Sequence, residues 1–181
     1  MRQGTDQRAR ALLSLRAGCL VVLRASDERV AMRVLALDIG EVRVGVATGD
    51  TATGIASPVA VLPAQEVLGN ARSWRRVLED YEPELLVSGL PKTLAGEDGP
   101  QAQRIRSSAE RIAATCGLPV AFSDERLSSA EAKRILREQG LNEKAMRGKV
   151  DMVAASLFLE SWLTAYAARE ESKDAGADKE E

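Results

Sequence analysis

The most constraining feature of the sequence is an apolar segment, residues 34–47, in which Asp38 follows the first apolar run. Branched side chains in that run are typical of a buried strand. Gly40 and a second apolar run from Val44 predict a tight turn and an antiparallel return strand. Burying the Asp38 carboxylate without a partner is costly, so it requires a hydrogen-bond donor, a cation or a metal. An Asp that caps the turn is the simpler alternative.

The composition excludes several kinds of active site. The 181 residues contain no histidine, which excludes Ser-His and Cys-His nucleophiles and His-bound metals. Acid–base or metal chemistry must then rest on Asp and Glu, whose oxygens suit hard cations. Cys19 and Cys116 are far apart and form neither a disulfide framework nor a zinc motif, which favours the reducing cytoplasm.

Length, hydropathy and charge bound the possible partners. No apolar run is long enough to span a bilayer, so we expect no membrane partner. The net charge of −2 means that any binding of nucleic acid must use a local basic patch.

We expect an Arg-rich extension over residues 1–31, disordered or arising from a misassigned start, because Met32 directly precedes the first strong strand. One folded domain over 32–168 and a disordered acidic tail over 169–181 follow.

Helices and strands alternate after the hairpin. The pattern predicts a strand over 55–62, a helix over 66–81, a strand from 85, a helix over 100–116, a strand over 119–123, a helix over 128–139, and a buried helix from 150 to about 169. Ser128 and Glu131 form a capping-box pattern at the start of the helix predicted over 128–139. Three meandering strands followed by alternating helices and strands indicate an α/β fold with a mixed central sheet and helices on both faces.

Acidic residues lie where three predicted elements begin or end. Asp38 ends the first strand, Asp124-Glu125 follows the last strand, and Asp151 begins the final helix. Taken singly, each has a structural explanation as a turn cap, a solvated pair or a helix N-terminal acid. Parallel strands that end at one edge would instead gather them. Like charges in one cleft need cations, and two divalent ions about 3.5–4 Å apart would support phosphodiester hydrolysis.

Four short motifs, in this order, resemble those of the RuvX/YqgF family, described as candidate pre-16S rRNA nucleases and Holliday-junction-resolvase-like proteins. The motifs are residues 38–47, Gly89-Leu90-Pro91 with Gly96, residues 124–129 with Ala132, and Val150-Asp151 with Ala154-Ala155. The resemblance covers about residues 32–166. It implies an RNase H-like fold and makes Asp38, Glu125 and Asp151 the expected catalytic, metal-binding acids, with Mg²⁺ or Mn²⁺ as cofactor. Serines replace the common threonines in the third motif, and the N-terminal extension is unusual for the family.

Basic side chains near these acids are expected to contact the phosphates of a nucleic acid. They are Arg43, Lys92, Arg126 and Lys149, with Lys144 and Arg147 in the same loop as Lys149. For any one of them taken alone, a solvated surface charge is the commoner role. The predicted function is metal-dependent hydrolysis of a phosphodiester bond at the 5′ end of pre-16S rRNA, in the cytoplasm, by a monomer or a homodimer.

Three alternatives stay open on sequence grounds. The chain could resolve branched DNA as a Holliday junction resolvase, or it could be a non-catalytic RNA-binding module on the same scaffold. It could also be an ATP-using enzyme of the actin and sugar-kinase superfamily, whose first phosphate motif also reads Asp-x-Gly. That superfamily requires a second domain with a second such motif, which this sequence lacks.

Overall fold

A computed structural model describes residues 31–91, 99–124, 128–146 and 148–177. Five strands form one mixed sheet in the order β3-β2-β1-β4-β5. The first three form an antiparallel meander, and β4 and β5 run parallel to β1. The strands are β1 (Arg33–Ile39), β2 (Arg43–Asp50), β3 (Ala56–Pro63), β4 (Leu85–Leu90) and β5 (Val120–Asp124).

Six helices are described in the same ranges. They are α1 (Ala64–Leu68), α2 (Arg72–Tyr81), α3 (Pro100–Cys116), α4 (Ser128–Glu138), α5 (Glu143–Met146) and α6 (Val150–Ala177). Helices α1 to α3 cover one face of the sheet, and α6, with α4 packed against it, covers the other. No helix among the described residues is both long and apolar enough to cross a membrane. The predicted α/β fold with helices on both faces is confirmed.

Side-chain alternation in β1 builds the two cores. Leu35 and Leu37 pack with Trp74 under α1 to α3, whereas Val34 and Ala36 pack under α6 with Phe158 and its neighbours. Successive side chains of a strand point to opposite faces, so a strand that is apolar at every position is buried on both. The apolar run that precedes Asp38 is therefore the central strand of the sheet.

Two predicted elements differ from the structure. The helix expected over 66–81 is two helices, because the chain breaks at Gly69 and Asn70, and Asn70 takes a left-handed φ of 51°. The final helix continues to Ala177 instead of ending near residue 169. Residues 169–177 are therefore helical, although a disordered tail was predicted there. Ala, Glu, Lys and Arg favour a helix even without an apolar face to bury.

Other boundaries agree closely with the pattern. Helix α3 has the predicted bounds and ends at Gly117, whose φ of 68° suits glycine. The third strand begins and ends one residue later than expected. The side chain of Ser128 and residues 1–30 and 178–181 lie outside what the structure describes, so the capping box, the N-terminal extension and the end of the tail stay predictions.

Candidate active site at one end of the sheet

Asp38 lies near the end of the central strand, on the face that α6 covers. The alternation that sends Val34 and Ala36 towards α6 sends Asp38 the same way. Asp38 is only partly buried, and it stands opposite Gly45 of β2 in the antiparallel register. The sequence thus places one carboxylate at the point where the apolar contact between β1 and α6 ends.

Gly45 brings the start of α6 against this point. A Cβ atom at Gly45 would lie 2.2 Å from both the backbone carbon and the carbonyl oxygen of Asp151, and 2.7 Å from the backbone nitrogen of Met152. Such distances are far inside van der Waals contact, so only glycine permits this approach. The backbone of Asp151 therefore rests on β2 directly across from Asp38. The structure brings together two of the three predicted metal-binding acids.

The side chain of Asp151 is held by Arg43, the first residue of β2. The Nε–H group of Arg43 donates to Oδ2 of Asp151 across 3.0 Å. Arg43 and Gly45 are two residues apart in one strand and so share the face that meets α6. Arg43 was predicted to contact phosphate, and the structure places it on a predicted metal ligand.

The end of β5 completes the description of the acids. Ser123 donates from its hydroxyl to the carbonyl of Phe158 in α6, so Ser123 faces α6. Asp124 follows it and by alternation shares the opposite face with Phe122, which packs in the core under α3. Asp124 is therefore not placed with Asp38. The predicted third acid, Glu125, lies outside the described residues, as do Arg126 and Lys92.

The carboxylates suit a hard divalent cation. Asp38 and Asp151 supply charged oxygens, the ligands that Mg²⁺ and Mn²⁺ prefer. Within the described ranges, no group of three or more Asp, Glu, Cys or His residues could hold a metal. The described part of the chain thus contributes two candidate ligands, whose chemistry fits the predicted cofactor.

Lys149 is the one predicted basic contact besides Arg43 whose side chain is described. It is exposed, and its carbonyl accepts the first hydrogen bond of α6, from Val153 N–H at 3.1 Å. Lys149 is therefore the N-cap residue of α6, two residues from Asp151. The side chains of Lys144 and Arg147 lie outside the described residues.

The other side of the β1–β2 turn carries an ion pair that the sequence did not reveal. Arg104 of α3 lies 2.8 Å from Glu41, measured from Nη1 to Oε1. Both residues line a surface cavity of about 290 Å³ together with Pro100 and Gln101. The pair does not include Asp38 or Asp151, so it adds charge near the turn without holding a candidate ligand.

Gly45 and the link between Arg43 and Asp151 were the features missed by sequence reasoning. A glycine between two apolar strand residues indicates a close backbone approach, which is the signal that could have identified Gly45. The partner that approaches it lies in a helix far along the chain. The sequence alone therefore could not name Asp151 as that partner.

Comparison with known proteins gives a consistent family. The family model described as "RuvX: Holliday junction resolvase" matches residues 32–165. A relative from Anaeromyxobacter sp. (strain Fw109-5) is 39% identical over 132 residues, covering 73% of this chain and 96% of the relative. One from Acaryochloris marina (strain MBIC 11017) is 40% identical over 129 residues, covering 71% and 90%. Both are named as candidate pre-16S rRNA nucleases.

Solved structures with a similar arrangement are more distant. Thermus thermophilus RuvC in complex with a Holliday junction is 18% identical, with a TM-score of 0.46, and the match covers 76% of this chain and 96% of that one. The fowlpox virus resolvase in complex with Holliday junction DNA is 14% identical, with a TM-score of 0.47, covering 75% and 99%.

Proposed function

The chain belongs to the RuvX family and is a nuclease with an RNase H-like fold, and we propose that it hydrolyses a phosphodiester bond near the 5′ end of pre-16S rRNA with the help of divalent metal ions. The observation that carries the proposal is the convergence of Asp38 and Asp151 on one face of the sheet, enforced by Gly45. Two like charges brought together by packing favour the binding of cations, and Arg43 already places one positive charge beside Asp151.

Asp38, Glu125 and Asp151 would hold Mg²⁺ or Mn²⁺. When bound, such ions lower the pKa of a water molecule and stabilise the negative charge that develops on the phosphate and the leaving oxygen. The chain contributes the fixed geometry. Asp38 is held in the central strand, and the backbone of Asp151 is held against Gly45, so neither carboxylate depends on a loop for its position.

Arg43 and Lys149 orient the nucleic acid in this proposal. Arg43 is 47% exposed although its Nε–H group is bonded to Asp151, so the guanidinium can still meet a phosphate. Lys149 is exposed beside the first turn of α6. Phosphate contacts set the register of a nucleic acid without reading its sequence. The two side chains supply local positive charge that the net charge of −2 does not.

The absence of histidine from the sequence shapes the reaction. Hydrolysis by an activated water needs no covalent protein nucleophile and no imidazole base. Carboxylates alone can then suffice as protein ligands. The nuclease assignment also argues against two of the alternatives, an ATP-using enzyme and a non-catalytic module.

Resolution of branched DNA is the second candidate function. It is favoured by the description of the family model that matches residues 32–165. The two substrates share the same reaction at a phosphodiester bond. They differ in the shape that the surface around the site must accept, and the curated relatives favour the RNA substrate. We place the reaction in the cytoplasm, with a monomer or homodimer as the active species.

A cleavage assay separates these functions. The full chain is incubated with pre-16S rRNA and with a four-way DNA junction, each with Mg²⁺, Mn²⁺, Ca²⁺ or excess EDTA. We expect cleavage of the RNA with Mg²⁺ or Mn²⁺ and little with Ca²⁺, because the larger ion tolerates looser geometry and positions water poorly. Cleavage of the junction alone would make the second candidate correct. Undiminished cleavage in EDTA would exclude the metal mechanism.

A further inference from the structure

The pair formed by Arg43 and Asp151 is built by rigid elements. Each residue lies at the beginning of its element, Arg43 in β2 and Asp151 in α6. Gly45 locks those two elements together at backbone contact. The pair is thus not a chance meeting of long side chains on a mobile surface, which is the usual case for exposed ion pairs.

The contact between Arg43 and the Asp151 carboxylate is weak enough to be broken. Only Nε donates to Asp151, through a single hydrogen bond to Oδ2. Among the described residues, no other group donates to that carboxylate, and the terminal nitrogens of Arg43 have no acceptor. Paired hydrogen bonds from a guanidinium fork are the strong arrangement, so a single bond to a half-exposed arginine is the weaker one.

A carboxylate carries one negative charge over both of its oxygens. A divalent ion bound to either oxygen of Asp151 would therefore be repelled by a guanidinium on the other. We infer that Arg43 is an internal counter-ion of the metal site: it pairs with Asp151 in competition with the divalent ion, and ion binding releases it towards the phosphate of the substrate. This inference rests on the proposed function, because it requires Asp151 to be a metal ligand.

The inference fixes the sign of a measurable effect. A residue that merely orients Asp151 would support metal binding, so its removal would weaken binding. A competing cation has the opposite effect, and its removal strengthens binding. The affinity for Mn²⁺ in the absence of nucleic acid therefore distinguishes the two roles without using activity.

The test is a titration of the full chain with Mn²⁺, followed by electron paramagnetic resonance of the unbound ion. We expect Arg43→Gln to bind Mn²⁺ about tenfold more tightly, the scale of removing one repelling charge at a partly exposed site. Arg43→Lys keeps the charge and should remain near the wild type. Arg104→Gln is the matched control, because it removes an equal charge from the neighbouring ion pair with Glu41, and its affinity should not change.

The outcomes separate the inference from the function on which it rests. Equal or weaker Mn²⁺ binding by folded Arg43→Gln would overturn the counter-ion role while leaving the metal site standing. Equal tightening by Arg104→Gln would also overturn it, since the effect would then be one of general charge. If the wild type binds no Mn²⁺, or if Asp38→Asn binds it as well as the wild type does, the proposed metal site itself fails, and the counter-ion role fails with it.

Discussion

Strand β2 meets helix α6 at two glycines, and the two contacts differ in kind. At Gly45 the approaching atoms belong to the backbone of Asp151 and Met152, which would lie 2.2–2.7 Å from the Cβ atom of any other residue at this position. At Gly49 they are chiefly the side-chain ends of Leu163 and Leu159, at 2.9 and 3.0 Å. We call the first contact the polar end and the second the apolar end.

The partners across β1 follow the same division. Gly45 stands opposite Asp38, and Gly49 stands opposite Val34 in the core under α6. The apolar end buries side chains that can shift, so it contributes stability and tolerates small changes. The polar end buries backbone, which cannot shift without moving the first turn of α6. If the proposed site is correct, stability and chemistry lie at opposite ends of one helix–sheet contact.

The largest expected effect separates the two ends by chemistry. Asp38→Asn keeps the size of the side chain but removes the charge that is proposed to hold the metal. Cleavage of pre-16S rRNA should fall by about a hundredfold or more, the scale of losing one preorganised electrostatic group. Stability should hold or rise slightly, because one of two neighbouring negative charges is removed, and affinity for RNA should persist because the phosphate contacts are assigned to other residues. Single-turnover cleavage, thermal unfolding and RNA binding measure the three quantities.

Asp50 provides the control for this substitution. It ends β2, and its Oδ1 accepts hydrogen bonds from the backbone N–H groups of Ala52 and Thr53, so it is a turn-capping aspartate. Asp50→Asn should leave cleavage unchanged. If Asp38→Asn instead unfolds the protein, Asp38 has the turn-capping role as well. A variant that cuts at the wild-type rate would disprove the carboxylate site.

The second prediction disrupts the polar end by adding a methyl group at the contact between β2 and α6. Gly45→Ala places a methyl group inside the backbone of Asp151, so the first turn of α6 must move away from β2. We expect a loss of about 3 kcal/mol in the free energy of unfolding, at the upper end of overpacking costs. The folded fraction should also lose cleavage and Mn²⁺ affinity, because Asp151 is displaced from Asp38. Denaturant unfolding at matched m-values measures the first effect. Full cleavage by a folded variant would refute the role assigned to this contact.

The sequence revealed the architecture better than it revealed these contacts. The apolar run before Asp38 predicted the central strand, and the alternation of elements predicted the mixed sheet, because hydrophobic period and turn residues are local signals. The break at Asn70 was missed because the apolar spacing continues across it. The end of α6 was missed because a polar segment rich in helix formers resembles a solvated tail.

The candidate site divides in the same way. Asp38 and Asp151 could be chosen from their places at element ends and from the family resemblance. The bond from Arg43 to Asp151 joins residues far apart in the chain, and no local pattern specifies it. Gly45 carries a local signal, but its meaning depends on which helix packs there. Long-range packing therefore supplied the part of the site that the sequence could not.

The third prediction measures the apolar end. Gly49→Ala brings a methyl group to the ends of Leu159 and Leu163, which can rotate, and to within 3.1 Å of the carbonyl oxygen of Ile55. The cost should be about 1 kcal/mol, the lower range for an added methyl group in a packed core. Cleavage should be unchanged when it is measured well below the unfolding temperature. A loss of cleavage as large as that of Gly45→Ala would show that the two ends are not independent.

The smallest expected effect concerns Lys149, where function and stability oppose each other at the polar end. A lysine at the N-cap of α6 places positive charge near the positive end of the helix dipole, and it lacks the short side-chain oxygen that caps best. Lys149→Ser should therefore raise the free energy of unfolding by about 0.5–1 kcal/mol. It should also weaken RNA binding, and the slope of log affinity against log salt should decrease by about 1, as expected for one lost phosphate contact.

Lys149→Arg is the control, since it keeps the charge and should keep the slope. Unfolding curves and RNA titrations over a range of salt test both effects. A stabilised variant with an unchanged salt slope would show that Lys149 does not contact phosphate and that the basic patch lies elsewhere on the surface.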